Sequence, residues 1–333
     1  MGMTANASRK KIPSLRMDAG AANMGASWNA LDGSADLRED LLKIFSFTVI
    51  DRTADRLCLD GVCTYFPTGR TYGGQLMSQA IAAAGLSVPE GRLPHSMHCY
   101  YITPGRLDEH IRLDVDVLRD GGSFSQRAVT ILQDGNTLLR AMLSFQKAGQ
   151  QGIGYSNPAP ANLPDPESLE SSFEQMRPYE NESVFARYYS RVSAFDIRHI
   201  GAPTLVSFDN ADTAGSGASE SRQMAWARLV ETDADPGDQI LQRALLAYGC
   251  DQIMPEPAMR RSGISFTTPG LAVATLDSSL WFYRDVDATR WHLYVQDSPV
   301  AGNGRAFCRG RIYQDSTLCA EIAQDVLIRL PRK

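Results

Sequence analysis

Three polar side chains in the second half of the 333-residue chain sit where the local pattern asks for apolar ones. The first is Asp251. A helical stripe of Ile240, Leu241, Ala244, Leu245 and Tyr248 continues to it, seven residues after Ala244, so a carboxylate is aimed at the core side of a helix. The second is Gln324, the one polar member of the strand row Leu318, Ala320, Ile322, Gln324, Val326 and Ile328. The third is Thr275, which shares a row with Leu271, Val273 and Trp281, although Asp277 and Ser279 fall there too. A buried polar group without a partner costs roughly 2–7 kcal/mol. Three are tolerable only if they satisfy one another, a water or a ligand. A carboxylate can accept a proton from water or orient it, while a hydroxyl and an amide fix the water in place. Ordinary structural hydrogen bonding is the alternative, and periodicity leaves both readings open.

Two helices of like pattern must position such a set. One covers Tyr72 to Leu86, with Leu76, Met77, Ala80, Ile81 and Ala84 as its buried stripe. The other begins near Asp235-Pro236, read as an N-cap followed by a first-turn proline, and runs toward Asp251. In the first half the strand-like runs after the helix are His95–Thr103, the alternating stretch from Ile111 to Leu118, Ser123–Gln133 and Leu138–Gln146, with Asp134-Gly135 as a hairpin turn. In the second they are Leu271–Arg284, Trp291–Gln296, Gly304–Gln314 and Thr317–Arg329, with a turn at Gly302-Asn303-Gly304. A short helix at Leu37–Ile44 and a strand at Phe45–Ile50 precede the first helix, and Arg222–Val230 reads as the strand before the second.

Residues 1–36, rich in Ala, Gly, Asn and Ser, are expected to form a flexible extension, and 147–174 a linker of Gly, Pro, Asn and Ser. The domains are then 37–146 and 175–333. A strand, a long helix and about four antiparallel strands, twice over, make an α+β tandem hotdog: two antiparallel sheets, each wrapped around a long central helix and joined side by side.

Composition narrows the function. A net charge of −5 and a pI near 5.6 argue against a dedicated nucleic-acid binder. No stretch approaches the roughly 18 apolar residues of a membrane span. Six cysteines without zinc spacing fit a reducing, cytoplasmic setting rather than a disulfide framework or a metal site. His95 and His98, three apart on a strand, should face opposite ways and hold no metal. The nucleophile-elbow pattern Gly-x-Ser-x-Gly is absent.

From about residue 37 to 330 the sequence resembles the acyl-CoA thioesterase II family. The first half carries the likeness in Tyr72-Gly73-Gly74-Gln75, in His95-Ser96-Met97-His98-Cys99-Tyr100-Tyr101, in Pro104-Gly105, in the run from Leu118 to Ser125 and in Ser144-Phe145-Gln146. The second half carries it in Ala247-Tyr248-Gly249-Cys250-Asp251, in the run from Ala274 to Phe282 and in Ala323-Gln324-Asp325. The resemblance implies a double-hotdog hydrolase of acyl-CoA thioesters that uses no cofactor and no metal. Its catalytic Asp, Thr and Gln fall on Asp251, Thr275 and Gln324, where they would act on a water without a covalent acyl-enzyme. It also implies a homo-oligomer, a dimer or larger. Aligned on local echoes between the halves, Leu93 and Ser144 take the places of Thr275 and Gln324, so the first half is expected to shape the acyl tunnel while the second does the chemistry. Two competitors remain: an acyl-CoA-binding sensor without turnover, and a hotdog enoyl-CoA hydratase, which needs an Asp and a His on one segment. The single histidine after Asp251 is His292.

Overall fold

The computed structural model describes residues 17–18, 41–107, 110–201, 221–230, 232–266 and 268–330. Most of the expected N-terminal extension, residues 202–220 and the last three residues lie outside the described residues.

In chain order the strands are β1 (Met17–Asp18), β2 (Phe47–Arg52), β3 (Arg56–Gly61), β4 (Arg92–Tyr101), β5 (Ile111–Asp120), β6 (Phe124–Gln133), β7 (Asn136–Lys147), β8 (Phe195–Ile200), β9 (Arg222–Leu229), β10 (Ala272–Phe282), β11 (His292–Gly302), β12 (Arg305–Gln314) and β13 (Thr317–Arg329). The helices are α1 (Gly73–Gly85), the short α2 (Ser172–Met176) and α3 (Val184–Arg187), then α4 (Gln239–Cys250) and α5 (Glu256–Arg261). A 3-10 turn at Leu41–Phe45 leads into β2.

Among the described residues the thirteen strands form one sheet in the order β1-β2-β3-β5-β6-β7-β4-β10-β13-β12-β11-β9-β8. Read inward from each edge, β2-β3-β5-β6-β7-β4 and β8-β9-β11-β12-β13-β10 are the same topology written twice. The halves meet where β4 runs antiparallel to β10, from Asp277 opposite Tyr100 to Trp281 opposite Ser96. Met17–Asp18 pairs in parallel with β2 at the outer edge. The turn at Asp134-Gly135 has both residues at positive φ, 48° and 76°, the backbone of a tight hairpin, and Asn303-Gly304 repeats it at 53° and 73°.

The two long helices are buried nearly all round. Every residue of α1 from Gly74 to Ala84 and of α4 from Leu241 to Cys250 is buried. The polar residues on them are tied to nearby loops. Gln75 accepts from the Thr64 amide at 3.0 Å, Gln79 donates to the Ile44 carbonyl at 3.0 Å, and Gln242 accepts from Ala288 N–H at 2.8 Å. The helices lie antiparallel against each other. A Cβ on Gly74 would come within 2.5 Å of the Tyr248 carbonyl, and one on Gly85 within 2.5 Å of Ile240. The N-terminal end of α1 therefore meets the C-terminal end of α4.

The start of α4 differs from expectation. Its N-cap is Asp238, whose carboxylate accepts from Leu241 N–H at 3.0 Å. Asp235 instead closes a turn with Gly237 N–H at 2.8 Å, holding Pro236 outside the helix, because the glycine that follows favours a turn.

Candidate active site

Asp251 follows the last residue of α4 as its C-cap, still near helical geometry at φ −77° and ψ −8°. Its Oδ1 accepts two hydrogen bonds, from Thr275 Oγ1 at 2.9 Å and from Gln324 Nε2 at 2.7 Å. Three residues from a helix end, strand β10 and strand β13 thus converge on one carboxylate oxygen. The other, Oδ2, faces the first turn of α1, where a Cβ on Gly73 would lie 2.6 Å from it. Glycine is required at Gly73 for this close approach. Burial pushes the Asp251 carboxyl up from the ordinary 3.8 to about 6, while the bonds from Gln324, Thr275 and the Gly74 backbone pull the other way. Removal from water outweighs three hydrogen bonds.

The strands bring Thr275 and Gln324 to the same face by a route that simple alternation does not anticipate. In β13 the burial alternates as read, with Ala320, Ile322, Gln324 and Val326 all buried. In β10 the pairing passes from Thr275 opposite Val326 to Asp277 opposite Asp325, so Leu276 is an extra residue, a β-bulge. Beyond the bulge the parity inverts. Ser278, Leu280 and Phe282 turn inward, whereas the row drawn through Asp277, Ser279 and Trp281 does not continue from Thr275. Ser278 consequently lies opposite Gln324 and accepts from its Nε2 at 2.9 Å. Two-residue alternation misses Ser278; the signal in the sequence is the pair Asp277-Ser278, whose polarity on both faces marks an irregular strand.

Strand β4 carries the matching bulge, between Pro94 and Ser96. It turns both His95 and His98 to the outer side, against the expectation of opposite faces: His95 bonds Ser144 at 2.8 Å and His98 bonds Ser279 at 2.9 Å. Superposing the two bulges sets Pro94 in the place of Thr275, and the facing pairs set Leu143 in the place of Gln324, one residue away from the assignment to Leu93 and Ser144. Leu86, the C-cap of α1, stands where Asp251 does. The first half therefore has apolar residues at all three positions.

Tyrosines close the surroundings. Tyr72 donates to the Tyr248 carbonyl at 2.8 Å and Tyr101 to the Gly73 carbonyl at 3.0 Å, fixing the two helix ends. Cys250, beside Asp251, is a buried thiol pushed up to about 12, which leaves it protonated and unreactive. His292 lies apart, bonded to the Arg290 carbonyl at 3.1 Å, and burial lowers its pKa to about 4. Among the described residues no group of three or more His, Cys, Asp or Glu could hold a metal ion, and no helix is long and apolar enough to cross a membrane.

Comparison with known proteins agrees with this architecture. Residues 64–146 match the family model of the acyl-CoA thioesterase N-terminal domain, and 163–328 that of the acyl-CoA thioesterase C-terminal domain. The chain is 31% identical over 279 residues to acyl-CoA thioesterase 2 of Haemophilus influenzae, a match covering 78% of this chain and 88% of that protein. The solved acyl-CoA thioesterase II TesB2 from Mycobacterium marinum matches with a TM-score of 0.64 at 29% identity, over 85% of this chain and 96% of that one. A hot dog fold protein from Alicyclobacillus acidocaldarius matches with a TM-score of 0.66 at 16% identity, over 88% of this chain and 99% of that one, a likeness of fold alone. The fold is a hotdog, and the chain belongs to the acyl-CoA thioesterase II family of thioester hydrolases.

Proposed function

We propose that this chain hydrolyses acyl-CoA thioesters to a free fatty acid and CoA with a water activated by Asp251 and positioned by Thr275 and Gln324. One observation carries the reading: Thr275 and Gln324 occupy the same carboxylate oxygen, Oδ1, which leaves Oδ2 to take a proton at the mouth of α1. In the reaction the water oxygen bonds to the thioester carbonyl carbon as its proton passes to Asp251. The carbonyl π electrons move onto oxygen, and the positive end of α1 stabilises that charge. The carbonyl re-forms, the C–S bond breaks, and the CoA sulfur leaves with the proton that Asp251 held. A carboxyl with pKa about 6 is ionised at neutral pH yet basic enough to accept the proton.

The repeated strand order supports a tandem hotdog, with 37–146 as the first domain, 147–174 as the linker and 175–333 as the domain that does the chemistry, preceded by the 1–36 extension. The apolar Leu86, Pro94 and Leu143 fit a first domain that shapes the acyl site. We further propose a cytoplasmic homo-oligomer, a dimer or larger. A hydratase is disfavoured because His292 bonds the Arg290 carbonyl and no histidine bonds Asp251 among the described residues. Free-thiol release from a series of acyl-CoA substrates tests the proposal. Thiol release supports the hydrolase; tight binding without release leaves the sensor.

A further inference from the structure

A file of aromatic rings runs from the candidate site toward the surface. Tyr248, three residues before Asp251, meets the Tyr72 ring edge-on with centroids 4.9 Å apart. Tyr72 stacks on Phe66 at 4.5 Å and 18°. Phe66 meets Phe185 edge-on at 6.3 Å, and Phe185 stacks on Phe266 at 5.6 Å and 26°. The inner two rings are buried, whereas Phe66, Phe185 and Phe266 are only half-buried.

The three outer rings come from three separate connections rather than from the sheet. Phe66 belongs to the loop that runs into Gly73. Phe266 lies between α5 and β10, nine residues before Thr275. Phe185 lies on α3, which continues into one turn of π-helix over Tyr188–Val192, and Tyr188 braces Phe66 edge-on at 5.3 Å. One connection ends at Gly73 and another leads into β10 three residues before Thr275, and π-helical turns concentrate at functional positions. Three partly buried rings brought together from three connections offer an apolar face beside the site.

We infer that Phe66, Phe185 and Phe266 form the wall against which the acyl chain of the substrate packs, and that they set which chain lengths the site accepts. The inference rests on the hydrolase reading for the identity of the ligand. Its argument is continuity: the ring file leads from the wall to Tyr72, whose neighbour Gly73 touches Asp251 Oδ2. A chain laid along the wall would be anchored by apolar contact at one end and present its thioester to Asp251 at the other.

The test measures binding of thioether analogues that cannot be hydrolysed, S-ethyl-CoA and S-dodecyl-CoA, together with CoA alone, to the full chain and to Phe66→Ala, Phe185→Ala and Phe266→Ala. Phe185→Leu, on a short surface helix, retains an apolar side chain and guards against a folding defect, and a cooperative thermal melt certifies each variant. Truncating one ring should weaken S-dodecyl-CoA about tenfold and leave S-ethyl-CoA and CoA unchanged, with Phe185→Leu intermediate. An unchanged dodecyl-to-ethyl ratio in folded variants overturns the wall. So does an equal loss for all three ligands, which would assign the rings to the adenine. Thiol release by the unmodified protein is scored separately: chain-length-dependent binding without release keeps the wall and removes the hydrolase, whereas release with an unaltered ratio does the reverse.

Discussion

Asp251 and Gly73 lie 178 positions apart in the chain and touch at the centre of the molecule, with so little space that a Cβ on Gly73 would stand 2.6 Å from Asp251 Oδ2. The contact joins the C-terminal end of one long helix to the N-terminal end of the other. The negative end of α4 opposes a carboxylate charge, and the positive end of α1 offsets it. A charge-bearing site is thus built from two halves, neither of which supplies it alone.

Gly73→Ala tests that contact directly. The position is not at positive φ, so alanine suits the backbone and should help the first turn of α1. The methyl group must nevertheless displace the carboxylate. Misplacement on the order of 1 Å costs about 10²-fold in rate, so kcat should fall by that order, and the overpacked contact should lower the thermal midpoint by no more than a few degrees, the better helix former offsetting part of the cost. Unaltered kcat in the folded variant would separate Gly73 from the chemistry.

Asp251→Asn keeps volume and removes charge. We expect kcat to drop by about 10²–10⁴, or roughly 3–5 kcal/mol of transition-state stabilisation, with KM changed little because acyl and CoA contacts remain. Stability should move the other way. A carboxyl whose folded pKa is raised from 3.8 to about 6 destabilises the fold at neutral pH by something on the order of 2–3 kcal/mol. Urea unfolding at pH 7 should therefore show the variant as stable as the parent or more so. Normal kcat with lost stability would assign Asp251 to structure alone.

Thr275→Ala and Gln324→Ala should each reduce kcat, and their combination with Asp251→Asn should fall far short of the product of the separate effects. Thr275 and Gln324 both bond Asp251 Oδ1, and the proposed mechanism has all three acting on one water. Ser278→Ala removes an acceptor for Gln324 Nε2 and should act more weakly, through Gln324. Independent, multiplicative losses in a double-mutant cycle would contradict a shared water.

The pH dependence has a definite sign. If Asp251 is the base proposed, activity needs its ionised carboxyl, so kcat/KM should rise with pH along a single ionisation centred near 6 and level off above it. For stability, the native state holds a proton between about 4 and 6 that the unfolded chain has released. The Asp251 contribution therefore declines as pH rises through that window, and the full penalty persists above it. Asp251→Asn should abolish both trends, which pH–rate profiles and unfolding midpoints across the same buffers will read.

Assembly is the remaining expectation. Tyr100 on β4 and Met142 on the adjacent β7 are exposed by 65% and 49% and lie two positions apart in register, an apolar patch that a second copy would cover. Sedimentation at micromolar concentration should give a dimer or larger, and a monomer would count against the proposal.

The sequence alone determined the two central helices, the hairpin turns, most strands and the three polar residues that meet. Those features are local: a helical stripe, a two-residue alternation and a turn pair with φ above zero each declare themselves within a few residues. Arg56–Gly61, which lies between β2 and β5, and the edge strand Phe195–Ile200 were not legible, because six residues carry too little alternation to separate from a loop. The start of α4 was misplaced since Asp235 and Asp238 are equal candidates for a cap until the turn at Gly237 is seen. Tertiary structure decided the rest. The bulge at Leu276 inverts the strand so that Thr275 and Ser278 share the inner side with Gln324, and polar residues on both faces mark an irregular strand without fixing where the extra residue falls. That Gly73 touches Asp251 depends on two helices packing antiparallel across the halves, a long-range contact that no local pattern encodes.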